Sequence, residues 1–282
     1  MKNNQAELNY DNPTSNAPEA TAATDEGLLT FGGHLEVLRQ MLWRVIGVTA
    51  LLAIVVFCLK DTIFPLLLAP SEWDFVTYRG IEQMVQSVGF EFRFEPWHVD
   101  LIATDLSSQF MTHVTTSLYI GALFASPYIV FELFRFVSPA LYENERKYSI
   151  QIVLTVYVLF FVGLLMTYYV LFPISFRFLG TYSVAERIHS TITLDSYIST
   201  FLTLALMMGV VFQLPVVAFF LGRMGIVTSE MLSQYRKHAF ILILIVGAII
   251  TPPDLMTLLL VSLPLYLLYE VSIRVVRWTT KK

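Results

Sequence analysis

The stretch that decides the fold is residues 150–176, IQIVLTVYVLFFVGLLMTYYVLFPISF, which contains no charged side chain. About 20 consecutive apolar residues in a helix cross the hydrocarbon core of a bilayer. This run therefore predicts a membrane-spanning helix, interrupted only by Pro173.

Five further apolar segments flank this run, at residues 41–59, 114–131, 197–221, 239–251 and 255–269. The last two are short: the 13 residues of 239–251 span only about 20 Å of a core of about 30 Å. Between them lies Thr251-Pro252-Pro253-Asp254, which predicts a tight turn. The pattern indicates an all-α integral membrane protein with six transmembrane helices, the last two short. A re-entrant pair is the alternative for those two.

The composition excludes several classes of protein. Hydrophobic types make up 56% of the 282 residues and charged types 14%, against about 25% in soluble domains. This excludes a soluble enzyme, and a net charge of −4 leaves no basic excess for binding nucleic acid. Cys58 is the single cysteine, so no intrachain disulfide forms. Residues 1–30 are polar without a signal-peptide pattern, which predicts a disordered tail before one membrane domain at residues 31–282.

The basic residues predict the topology. If the N-terminus is cytoplasmic, the cytoplasmic pieces hold 13 of the 18 Lys and Arg residues, and the outside pieces hold 11 of the 22 acidic ones. The positive-inside rule then places both termini in the cytoplasm of a multi-pass protein. Prolines at positions 127, 173, 215 and 264 lie in four different segments, and kinked helices of unequal length favour a concave wall.

Enzyme motifs are absent from the sequence. It contains no H-E-x-x-H, no G-x-S-x-G and no nucleotide-binding loop, and its five histidines lack metal-ligand spacing. We therefore expect no catalytic residues, no metal and no cofactor. A small-solute secondary transporter is the alternative function, but transporters need ionisable groups near the membrane centre. Gln213, which is neutral, is the only strongly polar side chain deep in a segment.

Polar residues instead gather next to the first and third segments, on the predicted cytoplasmic side. His34-Leu35-Glu36-Val37-Leu38-Arg39 precedes the first segment, and Ser138-Pro139-Ala140-Leu141-Tyr142-Glu143-Asn144-Glu145-Arg146 precedes the third. Ser138 and Pro139 are typical of a helix start, which puts Glu145 about two turns into that helix. These charges either bind a ligand or form a solvated face paired with neighbouring arginines.

The motifs resemble those of the TatC family, the multispanning core of the twin-arginine protein translocase. Residues 138–146 match the family pattern [AS]-P-A-L-Y-x-x-E-[RK], and residues 251–254 match T-P-P-D. Residues 264–270, PLYLLYE, match P-x-[YF]-x-x-[YF]-E, and Ala103-Thr104-Asp105 precedes the second segment as in the family. The resemblance covers residues 31–282.

The resemblance implies a receptor for signal peptides that carry two adjacent arginines, since a guanidinium pairs best with a carboxylate. It implies assembly with single-span TatA-type partners, with or without a TatB-type protein, in an oligomeric complex of the inner membrane driven by the proton-motive force. The residues that it assigns to signal-peptide binding are Glu145, Glu36, Arg146, Phe136 and Arg39. Phe136 has the alternative of packing its loop.

Two positions depart from the family. The family motif H-[LI]-x-E-L-R-x-R has Val37 here in place of its glutamate and Met41 in place of its second arginine. Glu36 is one residue earlier, which turns its side chain by about 100° on a helix. Glu36 reaches the site only if this segment is irregular. In F-E-x-P of the fourth segment, Gln213 replaces the acid.

The resemblance also implies partner contacts at Gln213, Pro215, Asp254 and Glu270. Each of the polar three has a structural alternative. Gln213 can donate a hydrogen bond between helices, and Thr251 to Asp254 has the spacing of a capping box. Glu270, at the inner end of the sixth segment, can simply reach water.

Overall fold

The computed structural model describes residues 31–280 except 92, 95, 138–148, 184 and 186–190. The polar tail and residues 138–146 lie outside the described residues. The elements are α1 Phe31–Cys58, α2 Lys60–Leu68, α3 Val76–Ser87, β1 Leu101–Ile102, α4 Ser108–Val137, α5 Ser149–Met166, α6 Phe172–Thr181, β2 Ile192–Thr193, α7 Leu194–Val211, α8 Leu214–Arg223, α9 Ser229–Gln234, α10 Arg236–Ile250 and α11 Leu255–Thr280. Residues up to Gln40 and residues from Met41 onward form two compact units.

The prediction of an all-α membrane protein is confirmed. Five stretches of the described chain are long and apolar enough to cross a bilayer: Leu35–Cys58, Ser108–Leu133, Val153–Thr181, Leu194–Arg223 and Leu255–Thr279. The fifth predicted span forms α10, whose 15 residues extend about 22 Å. The six predicted segments are therefore all helical, and α10 is short as predicted. The concave wall stays a prediction.

The prediction that the sixth helix is short is wrong. α11 has 26 residues and continues for ten residues beyond Glu270, although the apolar run ends at Tyr269. Glu270 lies inside this helix and pairs there with Arg236. Pro264 lies inside this helix, which stays continuous.

Two of the predicted spans are interrupted near their prolines. Between α5 and α6 the chain forms a π-helical turn at Thr167–Leu171, directly before Pro173. Proline has no N–H to donate to the carbonyl four residues earlier, here that of Tyr169. The Thr77 hydroxyl donates a hydrogen bond to this carbonyl instead. Between α7 and α8 the helix is interrupted before Pro215.

The long loop after α1 contains structure that the sequence did not predict. It forms α2 and α3, and β1 pairs in parallel with β2. Tyr78 of α3 is fully buried and donates a hydrogen bond to the Pro173 carbonyl at 2.8 Å. Burial raises the pKa of Tyr78 above its ordinary value, and the nearby Arg177 guanidinium opposes this shift. The loop is therefore fastened onto the interrupted part of the third span.

The core of the membrane unit lies around α7, which packs against α4 and α5. The largest buried side chains there include Phe172, Tyr197 and Met208. Two glycines allow close helix contact: a Cβ on Gly163 of α5 would lie 2.8 Å from the Met208 carbonyl oxygen, and one on Gly121 of α4 would lie 2.6 Å from the Ala53 nitrogen of α1. Small residues at helix contacts are typical of membrane bundles.

Candidate functional site

The residues of the predicted recognition motif are only partly described. Glu145 and Arg146 lie outside the described residues, and their role stays a prediction. Phe136 lies in the last turn of α4, but its side chain is outside the described part. The described residues next to the motif in the sequence are those at the carboxyl end of α4.

Glu36 and Arg39 form an exposed ion pair on α1. The Arg39 Nη2 donates a hydrogen bond to the Glu36 Oε1 at 2.8 Å, and the Gln40 Nε2 donates to the same oxygen at 3.1 Å. α1 is a regular helix from Phe31, so the irregular segment that would bring Glu36 to the family position is absent. Binding of a signal-peptide arginine by Glu36 stays a prediction. Its pairing with a neighbouring arginine is the structural alternative that the sequence left open.

A buried carboxylate lies near the end of α4, at a position that no motif in the sequence marks. Glu132 is only 5% exposed. The Tyr128 hydroxyl donates a hydrogen bond to its Oε1 at 3.0 Å. The Arg44 Nη1 from α1 lies 3.5 Å from its Oε2, and the Arg135 Nη1 lies 3.8 Å from its Oε1. This group brings a carboxylate and two guanidiniums together at the α4 end that leads into residues 138–146.

The charges in this group are distributed unevenly between protein and solvent. The Glu132 side chain is 6% exposed, whereas those of Arg44 and Arg135 are 45% and 63% exposed. Both nitrogen–oxygen distances exceed the 2.7–2.9 Å or so that is typical of charge-assisted hydrogen bonds. The carboxylate is therefore fixed and desolvated, while both cations reach solvent and are held loosely.

Gln213 lies at the break between α7 and α8. Its Nε2 donates to the Val156 carbonyl of α5 at 3.1 Å and to the Gly209 carbonyl of α7 at 3.2 Å. The predicted helix-to-helix hydrogen bond is confirmed. Its Oε1 is buried and lacks a hydrogen-bond partner among the described residues. Contact of Gln213 and Pro215 with a partner protein stays a prediction.

Asp254 caps α11, but the predicted capping box is wrong in detail. The Asp254 Oδ1 accepts a hydrogen bond from the Thr257 N–H at 2.7 Å, so Asp254 is itself the N-cap residue. The Thr251 hydroxyl donates to the Gly247 carbonyl of α10 at 2.9 Å instead. Thr251 is thus hydrogen-bonded to the end of α10, whereas Asp254 caps the start of α11.

Glu270 joins α11 to α10. The Arg236 Nε and Nη2 donate to the two carboxylate oxygens of Glu270 at 2.7 and 3.1 Å, a bidentate pair. The Tyr269 hydroxyl donates to the Leu232 carbonyl of α9 at 2.8 Å. Glu270 therefore has a partner inside the chain, and its contact with another protein, like that of Asp254, stays a prediction.

Comparison with known proteins identifies the family. The family model described as TatC, Sec-independent protein translocase protein, matches residues 33–264. A Sec-independent protein translocase protein TatC of Blattabacterium sp. subsp. Periplaneta americana is 31% identical over 258 residues, which cover 90% of this chain and 97% of that protein. The TatC of Halalkalibacterium halodurans is 42% identical over 64% of this chain and 70% of that protein.

Solved structures agree with the family match. A crystal structure titled as the twin arginine translocase receptor TatC superposes with a TM-score of 0.69 at 29% identity, covering 88% of this chain and 99% of that one. A second, in the detergent DDM, gives a TM-score of 0.68 at 30% identity. The sequence, the helical architecture and both comparisons therefore show that this chain belongs to the TatC family of Sec-independent protein translocase proteins.

Proposed function

We propose that this chain is the core component of a twin-arginine protein translocase. It binds twin-arginine signal peptides at the cytoplasmic face and, with TatA-type partners, transports folded proteins across the membrane using the proton-motive force. The observation that carries the proposal is the fold match over most of the chain to a structure titled as the twin arginine translocase receptor. The comparisons give no support to a small-solute transporter.

The recognition chemistry is an arginine held by a carboxylate. Glu145 lies in the segment that matches the family pattern at every position, and it is the carboxylate we assign to one arginine of the signal peptide. A guanidinium and a carboxylate form two parallel hydrogen bonds, which lysine does not reproduce. The signal peptide's preference for arginine over lysine follows from this geometry.

We place the protein in the cytoplasmic membrane with both termini in the cytoplasm. The support is the charge distribution, with 13 of 18 basic residues in the pieces assigned to the cytoplasm. Glu145, Glu132 and the Arg236–Glu270 pair then all belong to the cytoplasmic side, where precursor proteins arrive.

We assign the partner contact to α10 and to the α7–α8 break. TatA-type proteins, with or without a TatB-type protein, supply a single span that packs there in an oligomeric complex. Ile241, Leu242, Ile245 and Ile249 of α10 are exposed apolar side chains, which suits packing against another apolar helix.

The test is binding of a fluorescent twin-arginine signal peptide to the purified full-length chain, with a twin-lysine peptide for comparison. We expect Glu145→Ala to abolish the preference for arginine, because alanine lacks the carboxylate that pairs bidentately with a guanidinium. Glu143→Ala is the matched control, since Glu143 occupies a variable position of the same motif and should bind like the parent.

Glu36→Gln should weaken binding less than Glu145→Ala, because Glu36 is exposed and paired with Arg39. Equal binding of both peptides by the parent chain would contradict the receptor function. Flux of a small solute without any precursor binding would favour the transporter instead.

A further inference from the structure

We propose that Glu132 is a second arginine-binding carboxylate of the signal-peptide site, occupied by Arg44 in the free protein and by an arginine of the signal peptide in the complex. The inference rests on the proposed function. It explains how a chain with Val37 in place of the family glutamate can still receive two arginines.

The first observation is the burial of Glu132. A carboxylate removed from water is costly unless a cation and hydrogen bonds compensate for its charge. Glu132 is 5% exposed and accepts a hydrogen bond from Tyr128 at 3.0 Å. Its side chain is therefore held in place, and the neighbouring guanidiniums of Arg44 and Arg135 compensate its charge.

The second observation is that the resident cations are poorly placed for strong pairing. The Arg44 and Arg135 nitrogens lie 3.5 and 3.8 Å from the carboxylate, one nitrogen from each guanidinium, whereas a bidentate pair brings two nitrogens to about 2.8 Å. The Arg236–Glu270 pair of the same chain reaches that geometry, at 2.7 and 3.1 Å. Glu132 therefore has pairing capacity that its own arginines leave unused.

The third observation is access. The side chain of Arg44 is 45% exposed, so its guanidinium already borders solvent and has a path away from the carboxylate. Exchange of Arg44 for a peptide arginine keeps one positive charge beside the buried carboxylate, which avoids the cost of an unpaired buried charge. One guanidinium returns to water as another leaves it, so the desolvation costs nearly cancel. The peptide arginine adds the hydrogen bonds to Glu132 that Arg44 does not make.

The fourth observation is location. Glu132 lies five residues before Val137, where α4 ends, and the recognition motif begins at the next residue, Ser138. The same helix end thus carries Glu132 and leads into the segment of Glu145. The alternative is that Arg44 and Glu132 only fasten α1 to α4.

The two explanations predict opposite effects of removing Arg44. In the exchange mechanism Arg44 competes with the ligand, so Arg44→Gln should tighten binding of a synthetic twin-arginine peptide several-fold. If Arg44 only fastens the helices, Arg44→Gln should loosen the site and leave binding unchanged or weaker, and either result overturns the proposal. Arg135→Gln is the matched control, because Arg135 lies farther from the carboxylate and should change affinity less.

Glu132→Gln should weaken binding about tenfold or more, the loss expected for hydrogen bonds to a charged group. Two further peptides, each with one arginine replaced by lysine, locate the contact. For one of them Glu132→Gln should cause little additional loss, because that peptide already lacks the arginine that Glu132 receives. Parental affinity of Glu132→Gln for the twin-arginine peptide overturns the proposal.

These experiments separate failure of the inference from failure of the proposed function. If the parent binds twin-arginine and twin-lysine peptides equally, the receptor function itself fails. Suppose that the parent prefers the twin-arginine peptide over the twin-lysine peptide and that Glu145→Ala has lost this preference. If Glu132→Gln and Arg44→Gln then bind the twin-arginine peptide with parental affinity, only the inference fails. If thermal unfolding in detergent shows that Glu132→Gln does not fold, the affinity of Arg44→Gln for the twin-arginine peptide decides. Tighter binding supports the exchange, and unchanged or weaker binding overturns it.

Discussion

Gly121→Ala tests how tightly α1 is packed against α4. The added Cβ would lie 2.6, 2.7 and 2.9 Å from the nitrogen, Cα and Cβ of Ala53. Carbon atoms in contact prefer about 3.5–4.0 Å, so the two helices must separate by about 1 Å. The obstacle is mostly backbone, which cannot move aside as a flexible side chain would.

The expected cost follows from the contacts beside Gly121. On one side, the His113 ring stacks on Phe57 with 4.0 Å between ring centroids and its Nε2 is 3.0 Å from the Phe57 carbonyl oxygen. On the other side, Arg44 approaches Glu132. A separation in the middle strains both, and we expect a loss of about 1–3 kcal/mol in the free energy of unfolding, as for other overpacked sites.

Gly47→Ala is the matched control. Gly47 lies in α1, and nothing lies within 4 Å of its added Cβ. The same chemical change there should stabilise the helix by up to about 1 kcal/mol, the difference in helix propensity between glycine and alanine. The assay is thermal unfolding of both variants in the same detergent. Equal stability of Gly121→Ala and Gly47→Ala would refute the close approach of α1 and α4.

Three further predictions concern α10 and α11. Asp254→Ala removes the side chain that accepts the Thr257 N–H, and it should lower the free energy of unfolding by about 1 kcal/mol and the melting temperature with it. Asp254→Asn should keep most of this stability, because its side-chain oxygen can accept the same hydrogen bond. Arg236→Gln and Glu270→Gln should each lower the free energy of unfolding by up to about 1 kcal/mol. The double variant should lose no more than either single variant, and additive losses would contradict a direct pair. Inserting four apolar residues after Ile245 lengthens α10 by about 6 Å. If local bilayer thinning helps translocation, transport of a folded reporter should fall while precursor crosslinking persists, and a parental transport rate would exclude thinning.

The spans were predictable because apolar length alone determines them. Residues 150–176 predicted a crossing, and Val153–Thr181 is helical, long and apolar enough to make one. The π-helical turn within it was not predictable, because its stabilising partner, the hydroxyl of Thr77, comes from 92 residues away in the chain. The extent of α11 was missed because the prediction followed the apolar run, which ends at Tyr269, whereas the helix continues to Thr280.

The candidate site was predictable only where a local motif carries it. Residues 138–146 could be identified from sequence, and Gln213 was correctly expected to bridge helices. Glu132 was missed because it marked the end of an apolar segment, although Glu132 and Arg135 have the spacing of a helical ion pair. The contribution of Arg44 depends on the packing of α1 on α4, which no spacing within one segment reveals.

The chemistry of two adjacent arginines favours carboxylates on different elements. In an extended peptide, neighbouring side chains point to opposite sides while their Cα atoms are about 3.8 Å apart. One helix face therefore cannot receive both guanidiniums equally well, whereas carboxylates on either side of the peptide can. We assign the two arginines to Glu132 on α4 and to Glu145 of the motif that follows α4 in the sequence. A glutamate at position 37 is then one way to supply the second carboxylate, and in the proposed site Glu132 supplies it from another helix.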